Sequence, residues 1–142
     1  MRSKYETKTD LYNEELLKTL LVEAGLQVKK TDVFHPFDFI ATNNGSTRYI
    51  EFKKRNHNFD SGYPSLMISK NKVDNCLKIA KEDGAKFILI VQYLDCFAFC
   101  HILPELLPQA KSGGRQDRND AHDMELCYFI DNEYFRKWHR LK

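Results

Sequence analysis

The sequence has 142 residues, of which 42% are hydrophobic and 30% are charged, and its formal net charge is +2 at pH 7. This length and composition are typical of one globular domain over residues 1–142, and they exclude a low-complexity or membrane-spanning chain. Because the net charge is so small, any affinity for nucleic acid must come from local clusters of basic residues.

The cysteines and the N-terminal segment indicate a compartment. No apolar stretch of the kind found in secretory signals follows Met1. The cysteines lie in apolar surroundings that are typical of reduced, buried thiols, and they are Cys76, Cys96, Cys100 and Cys127. We therefore expect a cytoplasmic protein without membrane association, located in the host cytoplasm if a phage encodes it.

The first predicted element is a helix from Thr9 or Asp10 to Ala24. Its apolar residues recur at helical spacing and Gly25 supplies a C-terminal stop. Glu14 falls at the edge of the apolar stripe, where an acid is usually solvated. It gains interest only if other acids lie under the same helix. Residues 26–33 alternate loosely and predict a first strand.

The segment from Pro36 to Lys53 predicts a β-hairpin. An Asn44-Gly45 pair separates two short apolar runs, and both residues of a type I′ turn require a positive φ. With this turn, Asp38 lies directly opposite Glu51. Because side chains alternate along a strand, Lys53 shares the face of Glu51.

This polar face of the hairpin predicts a metal site. Like charges directly opposite each other destabilise a sheet by roughly 0.2–1 kcal/mol, so a cation is expected between Asp38 and Glu51. Mg²⁺ is commonly bound through one or two carboxylates together with substrate phosphates. A solvent-facing strand surface would explain Glu51 and Lys53 equally well, but it does not explain why Asp38 lies opposite Glu51.

Basic residues follow the hairpin. Lys54, Arg55 and His57 lie in a polar loop, and a second helix is predicted from Ser69, as N-cap, to Asp83. Its first turn contains two lysines, although helix N-termini favour negative charge. Lysines at this end are explained if a phosphate approaches the same place, and simple solvation is the alternative.

The remaining residues predict strands, a long loop and a helix. Lys86–Tyr93 is a nearly continuous apolar run, typical of a central strand, and Cys96–Leu103 is its expected hairpin partner. Pro104–Asp123 predicts a long loop with little structure of its own. Met124–Ile130 predicts a final edge strand. A terminal helix capped by Asp131 is then expected, with inward residues Tyr134, Phe135, Trp138 and Leu141.

The order of elements and the motifs resemble the PD-(D/E)XK nuclease superfamily. Pro36-Phe37-Asp38 corresponds to its proline–acid pair with one residue inserted, Glu51-Phe52-Lys53 corresponds to its acid-x-Lys triplet, and Glu14 to its helix-one glutamate. Within the superfamily, Leu11–Asp95 is most similar to archaeal-type Holliday-junction resolvases. The resemblance implies an α/β, restriction-endonuclease-like αβββαβ core with a mixed central sheet flanked by helices.

The resemblance also implies a Mg²⁺- or Mn²⁺-dependent deoxyribonuclease. Its resolvase-like form would be specific for branched DNA and homodimeric. Asp38, Glu51 and the backbone carbonyl of Phe52 would hold the metal, and Glu14 would bind a second ion or orient a metal-bound water. Lys53 would position the attacking water or neutralise charge in the transition state. The expected phosphate contacts are Lys54, Arg55, His57, Lys70, Lys72, Arg115 and Arg118.

Lys70 matches the resolvase position at the start of the second helix that contacts substrate. Arg115 and Arg118 belong to the loop Lys111–Asp123, for which the resolvases offer no counterpart, and we expect it to close over bound DNA. Two further readings remain open. One is a catalytically silent DNA-binding or protein-binding module. The other is a zinc-organised domain built from Cys96, Cys100, His101, His122 and Cys127.

Overall fold

The computed structural model describes residues 8–31, 37–114 and 124–140. It contains two α-helices, nine strands and two short 3₁₀ turns within those ranges. In chain order they are α1 (Lys8–Glu23), β1 (Gln27–Lys30), β2 (Phe39–Asn43), β3 (Ser46–Lys54), β4 (Ser65–Ser69), α2 (Lys70–Glu82), β5 (Lys86–Gln92), β6 (Cys96–His101), a 3₁₀ turn (Pro104–Leu106), β7 (Lys111–Gly114), β8 (Met124–Asp131), a 3₁₀ turn (Asn132–Tyr134) and β9 (Arg136–Arg140).

The central feature is a six-stranded sheet in the order β1-β2-β3-β5-β6-β9. The pair β3–β5 is parallel and the other neighbours are antiparallel, so the sheet is mixed. α1 packs on one face, and α2 packs on the other together with a smaller antiparallel sheet in the order β4-β8-β7. The predicted αβββαβ order and the mixed central sheet are confirmed.

The hairpin β2–β3 has the predicted register and turn. Asn43 pairs with Ser46, and the φ angles of Asn44 and Gly45 are 48° and 82°. A positive φ at both positions is what the type I′ geometry requires, and Asn and Gly tolerate it better than other residues. The ladder then runs back to Phe39 opposite Ile50, one pair short of Asp38 and Glu51.

The sheet separates two apolar clusters, one on each face. Phe39 and Ile50 pack with Leu17 and Leu21 of α1, as alternation along the strands predicts. The same alternation would place Phe37 beside them, but the structure does not. Its ring lies on the α2 face, with its centroid 4.7 Å from that of Tyr49. Residue 37 precedes β2, so the alternation of the strand does not reach it.

α2 begins where the sequence predicts. The Ser69 side chain accepts a hydrogen bond from the backbone N–H of Lys72, and the helix ends before Gly84, whose φ is 68°. The N-cap satisfies one of the free N–H groups of the first turn. The buried side of the helix consists of Val73, Cys76 and Ala80.

The C-terminal third differs from the prediction. Lys111–Gly114 is a strand within the predicted loop. β8 is the middle strand of the small sheet, so the prediction that Met124–Ile130 is an edge strand is wrong. Asp131 caps only a 3₁₀ turn, and residues 136–140 pair with β6 where a terminal helix was expected. The exposed edge of β6 offers unpaired backbone groups, and these outweigh the weak helical pattern of a short segment. Leu141 lies outside the described residues.

Neither of the two helices in the described ranges is long and apolar enough to span a bilayer.

Candidate active site

Asp38 and Glu51 lie together on the α2 face of the central sheet. Their side chains are almost completely buried, with 2% and 1% of their surfaces exposed. The carboxylate of Asp38 accepts a hydrogen bond of 2.8 Å from the backbone N–H of Phe52. The backbone N–H of Asp38 donates to the carbonyl of Ile50 at 2.9 Å. The hairpin therefore fixes both the main chain and the side chain of Asp38.

Thr31, just beyond β1, holds the segment before β2 from the other side. Its hydroxyl donates hydrogen bonds to the carbonyls of Phe37 and Asp38, and its backbone N–H donates to the carbonyl of Asp38 at 3.0 Å. Because Phe37 and Asp38 precede the ladder, these bonds supply the support that a strand neighbour would otherwise give.

The pair of carboxylates is electrostatically unfavourable. Burial, followed by the negative charge of Glu51 and a hydrogen bond with it, raises the pKa of Asp38 to about 7. Two buried carboxylates cannot both ionise freely without a cation. The site is therefore arranged for a positive charge at this position.

Two lysines approach Glu51 from different elements. The ammonium of Lys72, in the first turn of α2, lies 3.0 Å from Glu51 Oε2, and only 13% of the Lys72 side chain is exposed. The ammonium of Lys53 lies 3.9 Å from Glu51 Oε1. Burial is the largest influence on Lys53 and lowers its pKa. Glu51 is thus the centre of a buried charge cluster of two acids and two lysines.

Glu14 is buried on α1, and its carboxylate lies 2.6 Å from the ammonium of Lys30 on β1. Over the described ranges, no three His, Cys, Asp or Glu side chains gather closely enough to hold a metal ion together. Glu14, Asp38 and Glu51 therefore do not form a three-acid cage, and the acidic centre consists of Asp38 and Glu51.

The same observation bears on the zinc reading. Cys96 and Cys100 are buried in the apolar cluster of the α2 face, and Cys127 is buried on β8. Burial raises the pKa of Cys96 and of Cys100 to about 11, which disfavours the thiolate that zinc requires. No zinc cluster is present among the described residues, and His122 lies outside them.

The predicted phosphate-binding residues have different surroundings. Lys54 is exposed at the end of β3, whereas Arg55 donates hydrogen bonds to the carbonyls of Lys54 and Met67. His57 stacks on Tyr63. The ammonium of Lys70 lies 2.5 Å from a carboxylate oxygen of Asp74. Arg115 and Arg118 lie outside the described residues.

Sequence reasoning placed Lys72 among the phosphate contacts and missed its ion pair with Glu51. A signal was present, because a lysine in the first turn of a helix is at the wrong end of the dipole and needs an anionic partner. The partner in the structure is the carboxylate. The support from Thr31 had no detectable signal, because it depends on how β1 lies against the segment before β2.

The donor set fits a hard divalent cation. Asp38 and Glu51 offer carboxylate oxygens and β3 offers a nearby backbone carbonyl at Phe52. Mg²⁺ commonly takes one or two carboxylates and completes its shell with waters and substrate oxygens. Two acids are therefore enough, and a third acidic ligand is not required.

An αβββαβ core with an aspartate and a Glu-x-Lys triplet on one face of adjacent strands defines the restriction-endonuclease-like class of nuclease folds. The chain belongs to the family described as phage putative PDDEXK endonuclease, whose sequence model matches residues 1–138. The predicted membership of the PD-(D/E)XK superfamily is confirmed.

The structure is similar to that of Hjc, a Holliday junction resolvase from the archaeon Archaeoglobus fulgidus. The TM-score is 0.60, the sequence identity is 18%, and the match covers 84% of this chain and 88% of Hjc. At this identity the similarity concerns the fold. No curated protein is significantly similar to the chain in sequence.

Proposed function

We propose that the protein is a divalent-metal-dependent endonuclease that hydrolyses phosphodiester bonds in DNA. The observation that supports the proposal best is the buried pair of Asp38 and Glu51, with a raised pKa at Asp38 and lysines on both sides of Glu51. Burying two acids together costs free energy, and a bound cation would offset this cost. Membership of a PDDEXK endonuclease family agrees with this reading.

Asp38, Glu51 and the carbonyl of Phe52 would hold Mg²⁺ or Mn²⁺. When bound, the metal supplies Lewis-acid polarisation of the phosphoryl group and stabilises the charge on the leaving oxygen. Lys53 lies two residues from Glu51 on the same face, and it would orient the attacking water and neutralise charge that develops on the phosphate. Glu14 would act through a second ion or a bound water.

The remaining basic residues would bind flanking phosphates, which position the duplex without reading its sequence. Lys54 and Lys70 are accessible for this role, whereas the guanidinium of Arg55 also ties β3 to β4. The loop containing Arg115 and Arg118 would close over the DNA. A phage nuclease of this kind acts on DNA in the cytoplasm of the infected cell.

A resolvase-like activity is the finer form of the proposal. Resolution of a four-way junction needs two symmetric cuts, and a homodimer with two-fold symmetry supplies two sites. The resemblance to archaeal-type resolvases and the similarity in fold to Hjc support it. The strand β9 is an edge of the central sheet and is one surface through which two copies could associate.

Cleavage of a panel of linear, nicked, flapped and four-way DNA tests both the nuclease proposal and its resolvase-like form. We expect cleavage with Mg²⁺ or Mn²⁺, none in EDTA, and a dimer by analytical ultracentrifugation. Absence of cleavage on every substrate would contradict the nuclease proposal and favour a silent module. A monomer that cuts linear duplex as fast as junctions would contradict only the resolvase-like form.

Lys53→Ala is expected to lower the single-turnover cleavage rate by about 100- to 1,000-fold, because it removes a charge that acts in the transition state. DNA binding in EDTA should weaken little, since most affinity comes from distributed phosphate contacts. Lys70→Ala is the matched control and should show the opposite balance, with weaker binding and a shallower salt dependence. A wild-type rate for Lys53→Ala would contradict the catalytic role.

A further inference from the structure

A cleft of about 490 Å³ lies between the loop that follows β3 and the small sheet. The volume is within the usual range of about 300–1,000 Å³ for small-molecule sites. The side chains that give it its character are those of Arg55, His57, Tyr63, Met67, Tyr93 and Phe129.

The cleft has an aromatic wall. The rings of His57 and Tyr63 are stacked, with centroids 4.5 Å apart and planes 29° from parallel, and the ring of Tyr93 lies 5.4 Å from that of His57. Tyr63 is nevertheless 60% exposed, so a large part of its ring remains available to a ligand. Phe129 and the exposed Met67 lie on neighbouring strands and add apolar surface.

The cleft also has a cationic lining residue, Arg55. Arg55 donates hydrogen bonds to the carbonyls of Lys54 and Met67 at 3.0 and 3.1 Å, which fixes the guanidinium in place. Within the described residues, these two hydrogen bonds use two of the five N–H donors of the guanidinium. A fixed cation in the same cleft as stacked aromatic rings suits a flat, polar, electron-rich ring attached to an anionic backbone.

The cleft is connected to the candidate catalytic residue Lys53 through the chain. Arg55 follows Lys53 by two residues in the chain, so the two lie roughly 7 Å apart along the backbone at about 3.3 Å per residue. This is close to one nucleotide step of an extended strand. A phosphate held at Lys53 would therefore bring an adjacent base within reach of the cleft.

We propose that this cleft binds one unpaired base of the DNA substrate, next to the phosphate that is cut. The inference rests on the proposed nuclease function and specifies its substrate class, which is DNA with at least one unpaired or extruded nucleotide at the cut. A base inside a duplex has both faces covered by its neighbours, so only an unpaired or extruded base can stack on Tyr63. This stacking selects substrates without reading sequence, because every base has a π face.

Binding of matched oligonucleotides in EDTA, where no cleavage occurs, tests the proposal. The probes are a fully paired duplex and the same duplex with one unpaired nucleotide, each with 2-aminopurine at the test position. Tyr63→Ala removes the ring, and Tyr63→Phe keeps it. Tyr12→Ala is the matched control, because Tyr12 is a similarly exposed tyrosine (67%) on α1 and does not line the cleft.

We expect wild type, Tyr63→Phe and Tyr12→Ala to bind the unpaired probe at least 10-fold more tightly than the duplex, with quenched 2-aminopurine fluorescence. Tyr63→Ala should lose this preference and the quenching while binding the duplex normally, because only the unpaired base stacks on the ring. An unchanged preference in Tyr63→Ala, or an equal loss on both probes, would overturn the proposal. Either result could accompany normal metal-dependent cleavage by wild type, in which case the nuclease function would stand alone.

Discussion

Asp38→Asn is expected to abolish metal-dependent cleavage and, at the same time, to make the metal-free protein more stable above pH 7. The substitution keeps the shape of the side chain and removes an anionic ligand, so cleavage should become undetectable. Stability should rise because wild-type Asp38 is buried beside Glu51 and its pKa is raised to about 7. The variant thus separates the effect of the buried carboxylate on stability from its role in cleavage.

The pH dependence follows from the direction of this shift. Below about pH 4, Asp38 is protonated in both the folded and the unfolded chain, and the shift costs nothing. As the pH rises toward 7, the unfolded chain ionises first, so the free energy of unfolding falls. Above pH 7 the full cost applies, and a displacement from 3.8 to about 7 corresponds to about 4 kcal/mol.

Urea denaturation in EDTA between pH 4 and 9 measures this effect. Between about pH 4 and 7, the free energy of unfolding of wild type should fall, whereas that of Asp38→Asn should change less. Added Mg²⁺ should stabilise wild type alone. Equal pH profiles for the two proteins would contradict the strained carboxylate pair. Robust cleavage by Asp38→Asn would contradict its role as a ligand.

Glu51→Gln is expected to act in the opposite direction on stability, although it should also abolish cleavage. Its carboxylate is the partner of the buried ammonium of Lys72 at 3.0 Å. Removing one member of a buried ion pair typically costs about 3–5 kcal/mol, because the other charge remains buried. Lys72→Met should be destabilising for the same reason.

The double variant Glu51→Gln/Lys72→Met completes a mutant cycle. We expect it to recover most of the lost stability, since neither charge is then left alone, with a coupling energy of about 2–3 kcal/mol. Lys70→Met is the matched control, because Lys70 lies in the same helical turn but its ion pair is solvent-exposed, and it should change stability little. Additive single and double variants would show that Glu51 and Lys72 do not interact.

The parts of the structure that the sequence predicts well are those governed by local rules. The Asn44-Gly45 turn requires positive φ at both residues, and it determines the register of the ladder as far as Phe39 and Ile50, the neighbours of Asp38 and Glu51. Ser69 as N-cap and Gly84 after the helix define α2 in the same way. The central position of β5 follows from its continuous apolar character.

The errors arise where distant parts of the chain decide the outcome. Residues 136–140 have no strong preference of their own, and the open edge of β6 makes them a strand. Lys72 could be located on α2 from the sequence, but its contact with Glu51 depends on how α2 packs across the sheet. The cleft at Tyr63 likewise combines the loop after β3 with β4, β8 and Tyr93, which follows β5, and no local pattern relates them.

The position of Lys72 on α2 also has a consequence for the order of folding. Asp38 and Glu51 meet through a short hairpin, and such hairpins form within about 1–10 μs. The parallel pairing of β3 with β5 must wait for the crossover through β4 and α2, which closes a longer loop. The two acids therefore come together while water still screens them. Their repulsion becomes costly only when α2 docks, and the same step delivers the Lys72 ammonium, which offsets part of that cost.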